Sequence, residues 1–164
     1  MIMDSRRTQH TFFVQNLAIS PLGGIRIACH LKDSVGVLTP TRILPHFTLV
    51  YVLDGGGAYE DETGLRLEVG PGDAILVYPG LEHWYGPGEA GRWDEIYLVF
   101  EGPVFDLWRA QSCLDPAKPV IHLQPKEFWI DRIKKAIGEN NQGDPVKMLE
   151  EAIRLQALLA ESQH

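Results

Sequence analysis

Apolar positions between residues 12 and 100 fall in short runs, not in helical stripes. GIRIACHL, FTLVYVL, GAYED, LRLEV, DAILVY and WDEIYLVF are each of strand length and rich in Val, Ile, Tyr and Phe. Gly, Pro, Asn and Asp divide them at intervals of about 8–12 residues, the spacing of an antiparallel sandwich or barrel. LRLEVGPGDAILVYPG reads as strand, Gly-Pro-Gly turn, strand and a Pro79-Gly80 stop. WDEIYLVF alternates, so Trp93, Glu95 and Tyr97 share one face while Asp94, Ile96 and Leu98 share the other. If the first set faces a barrel interior, Ile96 and Leu98 need cover from outside the barrel.

The period changes after Gly102. PVFDLWRAQSCL predicts a short helix, and LQPKEFWIDRIKKAIGEN places Trp129, Ile130, Ile133 and Ile137 at helical spacing behind Pro125. A last helix opens with Asp144 as N-cap and Pro145 at its first position. It carries two apolar stripes. One is Val146, Leu149, Ile153, Ala157 and Ala160; the other is Met148, Ala152, Leu155 and Leu159. One stripe suffices to dock a helix. The second implies either deep burial within one chain or a homodimer contact, expected through Met148, Ala152, Leu155 and Leu159. The expected division is a barrel over 1–105 and a helical linker and dimerisation segment over 106–164, within one structural domain of ordinary size.

Composition narrows the function. Lys and Arg number 15 against 22 Asp and Glu, a formal charge of −7, which repels phosphate backbones. The two cysteines, Cys29 and Cys113, lie far apart and form no CxxC pair, as expected of buried thiols in a reducing compartment. The first residues lack the apolar core of a signal peptide, and no apolar run is long enough to span a membrane, so a cytoplasmic protein is expected.

Candidate chemistry is sparse. Of six histidines, His30, His46 and His83 fall in the barrel zone, but no HxH pair exists to aim two imidazoles at one ion. A lone strand histidine is a hydrogen-bonded structural group or a ligand contact. No GxSxG elbow appears, and the glycines after Asp54 read as hairpin glycines with positive φ. Asp54 is a turn residue or a rim carboxylate. Tyr51, Tyr59, Tyr78, Trp84, Tyr85, Trp93 and Tyr97 either fill the barrel or line a pocket for a small polar organic molecule such as a sugar.

GDAILVYPGLEHWYGPG resembles the second conserved motif of the cupin superfamily, with Gly72, Asp73, Pro79, Gly80 and His83 matching. Set on the first motif, YVLDGGG puts Arg42, Leu44 and Thr48 where two histidines and a glutamate normally hold a metal. The resemblance therefore implies a mostly β protein, a cupin-like antiparallel β-barrel (jelly roll) followed by C-terminal α-helices, with a dismantled metal site and no cofactor. Together with RILPHFTLVYVLDGGGAYED and RWDEIYLVFEGPVFDLW, it is more specifically similar to the N-terminal sensor domain of AraC-type transcription regulators. That resemblance implies a small-molecule effector inside the barrel, a homodimer, and DNA contact only through a helix-turn-helix domain that would follow His164, as if this were an excised sensor. The ligand positions of the family's arabinose-sensing member fall on Asp54, Tyr85, Glu95 and Tyr97. Of these only Tyr85 matches; the others replace an arginine, a histidine and a tryptophan. Arg42, His46 and His83 complete the expected ligand-binding set, and no catalytic residue is expected. The alternative is a stand-alone cupin isomerase, epimerase or lyase using His83 or His46 as acid or base.

Overall fold

The computed structural model describes residues 7–36, 40–88 and 91–164; the first six residues of the expected barrel segment lie outside them. Among the described residues nine strands and three helices follow in order: β1 (Gln9–Gln15), β2 (Gly24–Ser34), β3 (Phe47–Asp54), β4 (Gly57–Asp61), β5 (Arg66–Val69), β6 (Asp73–Val77), β7 (His83–Pro87), β8 (Trp93–Glu101), α1 (Pro103–Ala110), β9 (Val120–His122), α2 (Lys126–Ile137) and α3 (Pro145–Ser162). All strand pairs are antiparallel. One sheet has the order β1-β2-β8-β3-β6-β9 and the other β5-β4-β7. The expected mostly β, cupin-like architecture with C-terminal helices is what the chain adopts, as two facing sheets.

The period of two sorts every central strand. Val50 and Val52 of β3, Ile75 and Val77 of β6, and Trp93 of β8 point between the sheets, where they meet Tyr59, Val69 and Tyr85. Their neighbours Leu49, Tyr51, Ala74, Leu76, Ile96, Leu98 and Phe100 point the other way, into a core completed by Phe105, Trp129, Ile133, Leu155 and Leu159 of the helices. The large sheet is thus apolar on both faces because both are covered. Ile96 and Leu98 obtain their cover from the C-terminal helices, as the alternation in WDEIYLVF requires.

Turns follow from the same residues. Gly55 adopts φ 83°, and a Cβ there would come within 2.5 Å of the Arg92 carbonyl; Gly57 lets β4 run so close to β7 that a Cβ would collide with Gly86. The strand β9, only three residues long, pairs with β6 in the segment between α1 and α2.

The last helix corrects one expectation. Asp144 caps it as predicted, its carboxylate accepting from the amides of Val146 at 2.9 Å and Lys147 at 3.1 Å. However, Ala152, Leu155 and Leu159 are fully buried inside the chain and Met148 is partly buried, so this stripe docks the helix and is not free to pair with a second copy. The bare stripe is the other one: Val146 is 63%, Leu149 42% and Ile153 62% exposed. Docking is fixed by a buried polar clasp. Glu151 accepts from the Ile25 amide of β2 at 2.8 Å and from Asn16 Nδ2 at 3.0 Å, and Asn141 Nδ2 donates to the Ala18 carbonyl at 2.9 Å. These bonds go with the stripe that faces β2, because turning the other stripe inward would carry Glu151 out to solvent and leave the Ile25 amide and Asn16 without their acceptor.

Candidate functional site

A cavity of about 340 Å³ opens between the two sheets. Strand β8 supplies Trp93, Glu95, Tyr97 and Val99 to its wall, four residues at strict alternation. Leu31 of β2 lies opposite Glu95 in the ladder, and Thr48 of β3 lies opposite Val99. Arg42, Leu44 and His46 enter from the segment ahead of β3, and Tyr85 closes the far side from β7. Its volume falls at the lower end of small-molecule sites.

Two features separate this space from ordinary packing. Five buried side-chain polar atoms have no hydrogen-bond partner among the described residues, and three of them, His46 Nδ1, Thr48 Oγ1 and Glu95 Oε2, belong to residues lining this one cavity. Native proteins satisfy nearly all such atoms, so three of them on the lining of one cavity set this region apart from ordinary packing. The second feature is charge. Glu95 is only 4% exposed, and burial pushes its carboxyl up to about 7, partly offset by the Trp93 indole N–H and the Arg42 charge. Arg42 donates from Nη2 to the Tyr85 hydroxyl at 2.8 Å, with its guanidinium carbon 5.3 Å from the centre of that ring. It forms no ion pair among the described residues.

The aromatic wall is layered. Tyr85 stacks with Trp93 (centroids 6.3 Å apart) and with His83 (5.9 Å). Burial raises the Tyr85 phenol well above its ordinary range and Tyr97 to about 12, so both remain neutral hydroxyls.

Five of the seven expected ligand-binding residues, Arg42, His46, Tyr85, Glu95 and Tyr97, line this cavity together. Two do not. Asp54 is exposed at the end of β3, where its carboxylate accepts from the Gly55 amide at 3.0 Å; a register shift between Val52 and Asp54 carries it out of the alternation that points inward. It is the turn residue of the two readings. His83 shares the inward face of β7 but is fully buried, sealed behind the Tyr85 ring and by the mutual backbone hydrogen bonds of Arg42 and His83. Its Nδ1–H donates to the Leu81 carbonyl at 3.0 Å, and burial lowers its pKa, so it stays a neutral structural imidazole. The sequence reading assigned no ligand role to Leu31, Ser34 or Val99, which also line the space; the alternation of β8 alone would have identified Val99.

The superfamily's metal does not fit here. Arg42, Leu44 and Thr48 face the cavity where the ligands would stand, offering a cation, a hydrocarbon and a single hydroxyl. A guanidinium beside a divalent ion is repulsive, and among the described residues no group of three His, Cys, Asp or Glu converges to replace the lost donors.

Similar folds occur in YhaK from Escherichia coli (16% identity over 59% of this chain and 45% of that one, TM-score 0.45), a cupin 2 conserved barrel domain protein from Leptotrichia buccalis (17%, 62% and 44%, TM-score 0.43) and GK1651 from Geobacillus kaustophilus (15%, 60% and 41%, TM-score 0.46). The chain spans less than half the length of each. No curated protein sequence matches it. The family model of the AraC-like ligand binding domain matches residues 25–161, a span that takes in both walls of the cavity and the three helices. The chain belongs to that family.

Proposed function

We propose that this chain is the effector-sensing module of a transcription regulator, which binds a small, partly polar organic molecule between its sheets without turning it over. The observation that carries this reading is a cavity with aromatic walls whose lining includes three residues with buried, unpartnered polar atoms and the charge of Arg42, unpaired among the described residues. In a ligand-binding family, a preformed space of this kind is what an effector would complete. A second copy would pair along the exposed stripe of Val146, Leu149 and Ile153, whose spacing of three and four residues is that of a helix–helix seam. DNA contact would belong to a helix-turn-helix module outside these residues, since a chain of charge −7 is poorly suited to it.

Thermal shift over a library of polar organic compounds tests the cavity's role. A true effector at 100 times its Kd stabilises the wild type by about 2.7 kcal/mol. The same compound should give no shift with Tyr97→Ala, which opens the wall but leaves the fold. Compounds that stabilise wild type and variant equally would show that binding occurs elsewhere.

A further inference from the structure

The unpaired groups of the cavity also restrict what can fill it. Arg42 is a donor-only, permanently charged group with N–H bonds to spare after its contact with Tyr85; its charge reaches the Glu95 carboxyl, but it forms no ion pair among the described residues. Leu44, Tyr97 and Val99 line the same cavity, so apolar and aromatic surface stands beside its polar groups. A sugar ring carries hydroxyls around its whole rim and would leave some of them against that surface without partners, at a cost for each. A molecule with one anionic end and a flat apolar body leaves none.

We propose that the ligand is an organic acid, its carboxylate held by Arg42 and its planar or aromatic body laid along Tyr97 and Leu44, with Glu95 donating a hydrogen bond to it. This rests on the reading of the cavity as the effector site, and departs from the sugar expected from the sequence. Glu95 acts here in its protonated form. The titratable groups facing it are Cys29 of β2, Arg42 and His46 ahead of β3, Tyr85 of β7 and Tyr97 of its own strand; of these Arg42 alone carries fixed positive charge. A ligand carboxylate engaging Arg42 removes the charge that favours ionised Glu95. An acid already disfavoured by burial then holds its proton more firmly, and binding takes up one proton from solvent.

Calorimetric titration of the whole chain with benzoate, phenylacetate and 3-phenylpropanoate, each against its uncharged amide, and with xylose, decides the matter. At least one acid should bind about tenfold or more tightly than its own amide, the worth of a charge-assisted pair. Its affinity should fall roughly tenfold per pH unit between pH 7.5 and 8.5, and this slope should flatten in Glu95→Gln, which donates at every pH. Arg42→Gln should erase the preference for acid over amide. The acid–amide comparison uses wild type only, so it decides even if that variant fails to fold. Amides binding as tightly as acids, xylose binding more tightly than every acid, or no acid binding at about 10 mM would each overturn the assignment. Xylose binding that disappears in Tyr97→Ala would sink the acid while leaving the sensing role intact. Binding of every probe unaffected by Tyr97→Ala would bring down both.

Discussion

The two faces of the large sheet are built from the same strands and differ in almost everything else. Toward the helices, Ile96, Leu98 and Phe100 lie in a dry core where Phe100 packs at 5.1 Å from Phe47 and 4.8 Å from Phe105 between ring centres. Toward the small sheet, Trp93, Glu95, Tyr97 and Val99 border open volume, and residues of its lining hold buried polar atoms without partners. One face of β8 is committed to stability, and the other is the one proposed for recognition. A single strand can serve both because neighbouring side chains never compete for the same side.

The largest test of this contrast is a pair of truncations. Phe100→Ala should cost about 3–5 kcal/mol, the loss of buried surface plus the cavity it leaves. Tyr97→Ala, already at the edge of open space, should cost nearer 1 kcal/mol. Urea denaturation reads both, and equal losses would erase the distinction between the faces.

Next comes the pH dependence that Glu95 confers on the recognition face. Its carboxyl stands at about 7 in the folded chain against an ordinary 4.5, so the folded state binds the proton more tightly than the unfolded one. Stability contributed by that proton is present below about pH 4.5 and is lost as pH rises through 7, a fall on the order of 3 kcal/mol. Glu95→Gln should therefore be less sensitive than wild type to a change from pH 5 to pH 8. Glu151, whose carboxyl burial also raises, drifts in the same direction in both proteins and cancels in the comparison. Parallel stability curves for the two proteins would refute the role given to Glu95.

The smallest effect on folding belongs to the helix that covers the dry face. Ile153→Glu, on the stripe left bare, should change the stability of one chain by less than about 0.5 kcal/mol. Sedimentation should nevertheless show a dimer becoming a monomer. A wild type that is monomeric at high concentration would refute pairing through this stripe.

Much of this was legible in the sequence, and the failures have local causes. The alternation of WDEIYLVF placed Trp93, Glu95 and Tyr97 on one face and required helical cover for Ile96 and Leu98, because the period of two is a property of the backbone. Asp54 was misplaced because a register shift at the end of β3 has no signature in residue types. His83 was correctly aimed inward, but sequence alone does not reveal that Tyr85 lies across it. The two stripes of α3 are equally apolar. What decided between them was Glu151, a charged residue whose partners, Asn16 and the Ile25 amide, lie more than a hundred positions away. The strand β9 is too short to announce itself.

The double use of β8 makes its length matter more than its composition. Single replacements on either face act locally, and conservative ones leave the other face untouched. Deleting one residue between Trp93 and Glu101 is different in kind, since every side chain beyond the deletion would turn to the opposite side. Phenylalanine and leucine would then fill the cavity while tyrosine or a carboxylate entered the hydrocarbon core. Substitution along this strand can therefore reshape the cavity one residue at a time, whereas losing or gaining a residue exchanges its two faces unless a bulge absorbs the step.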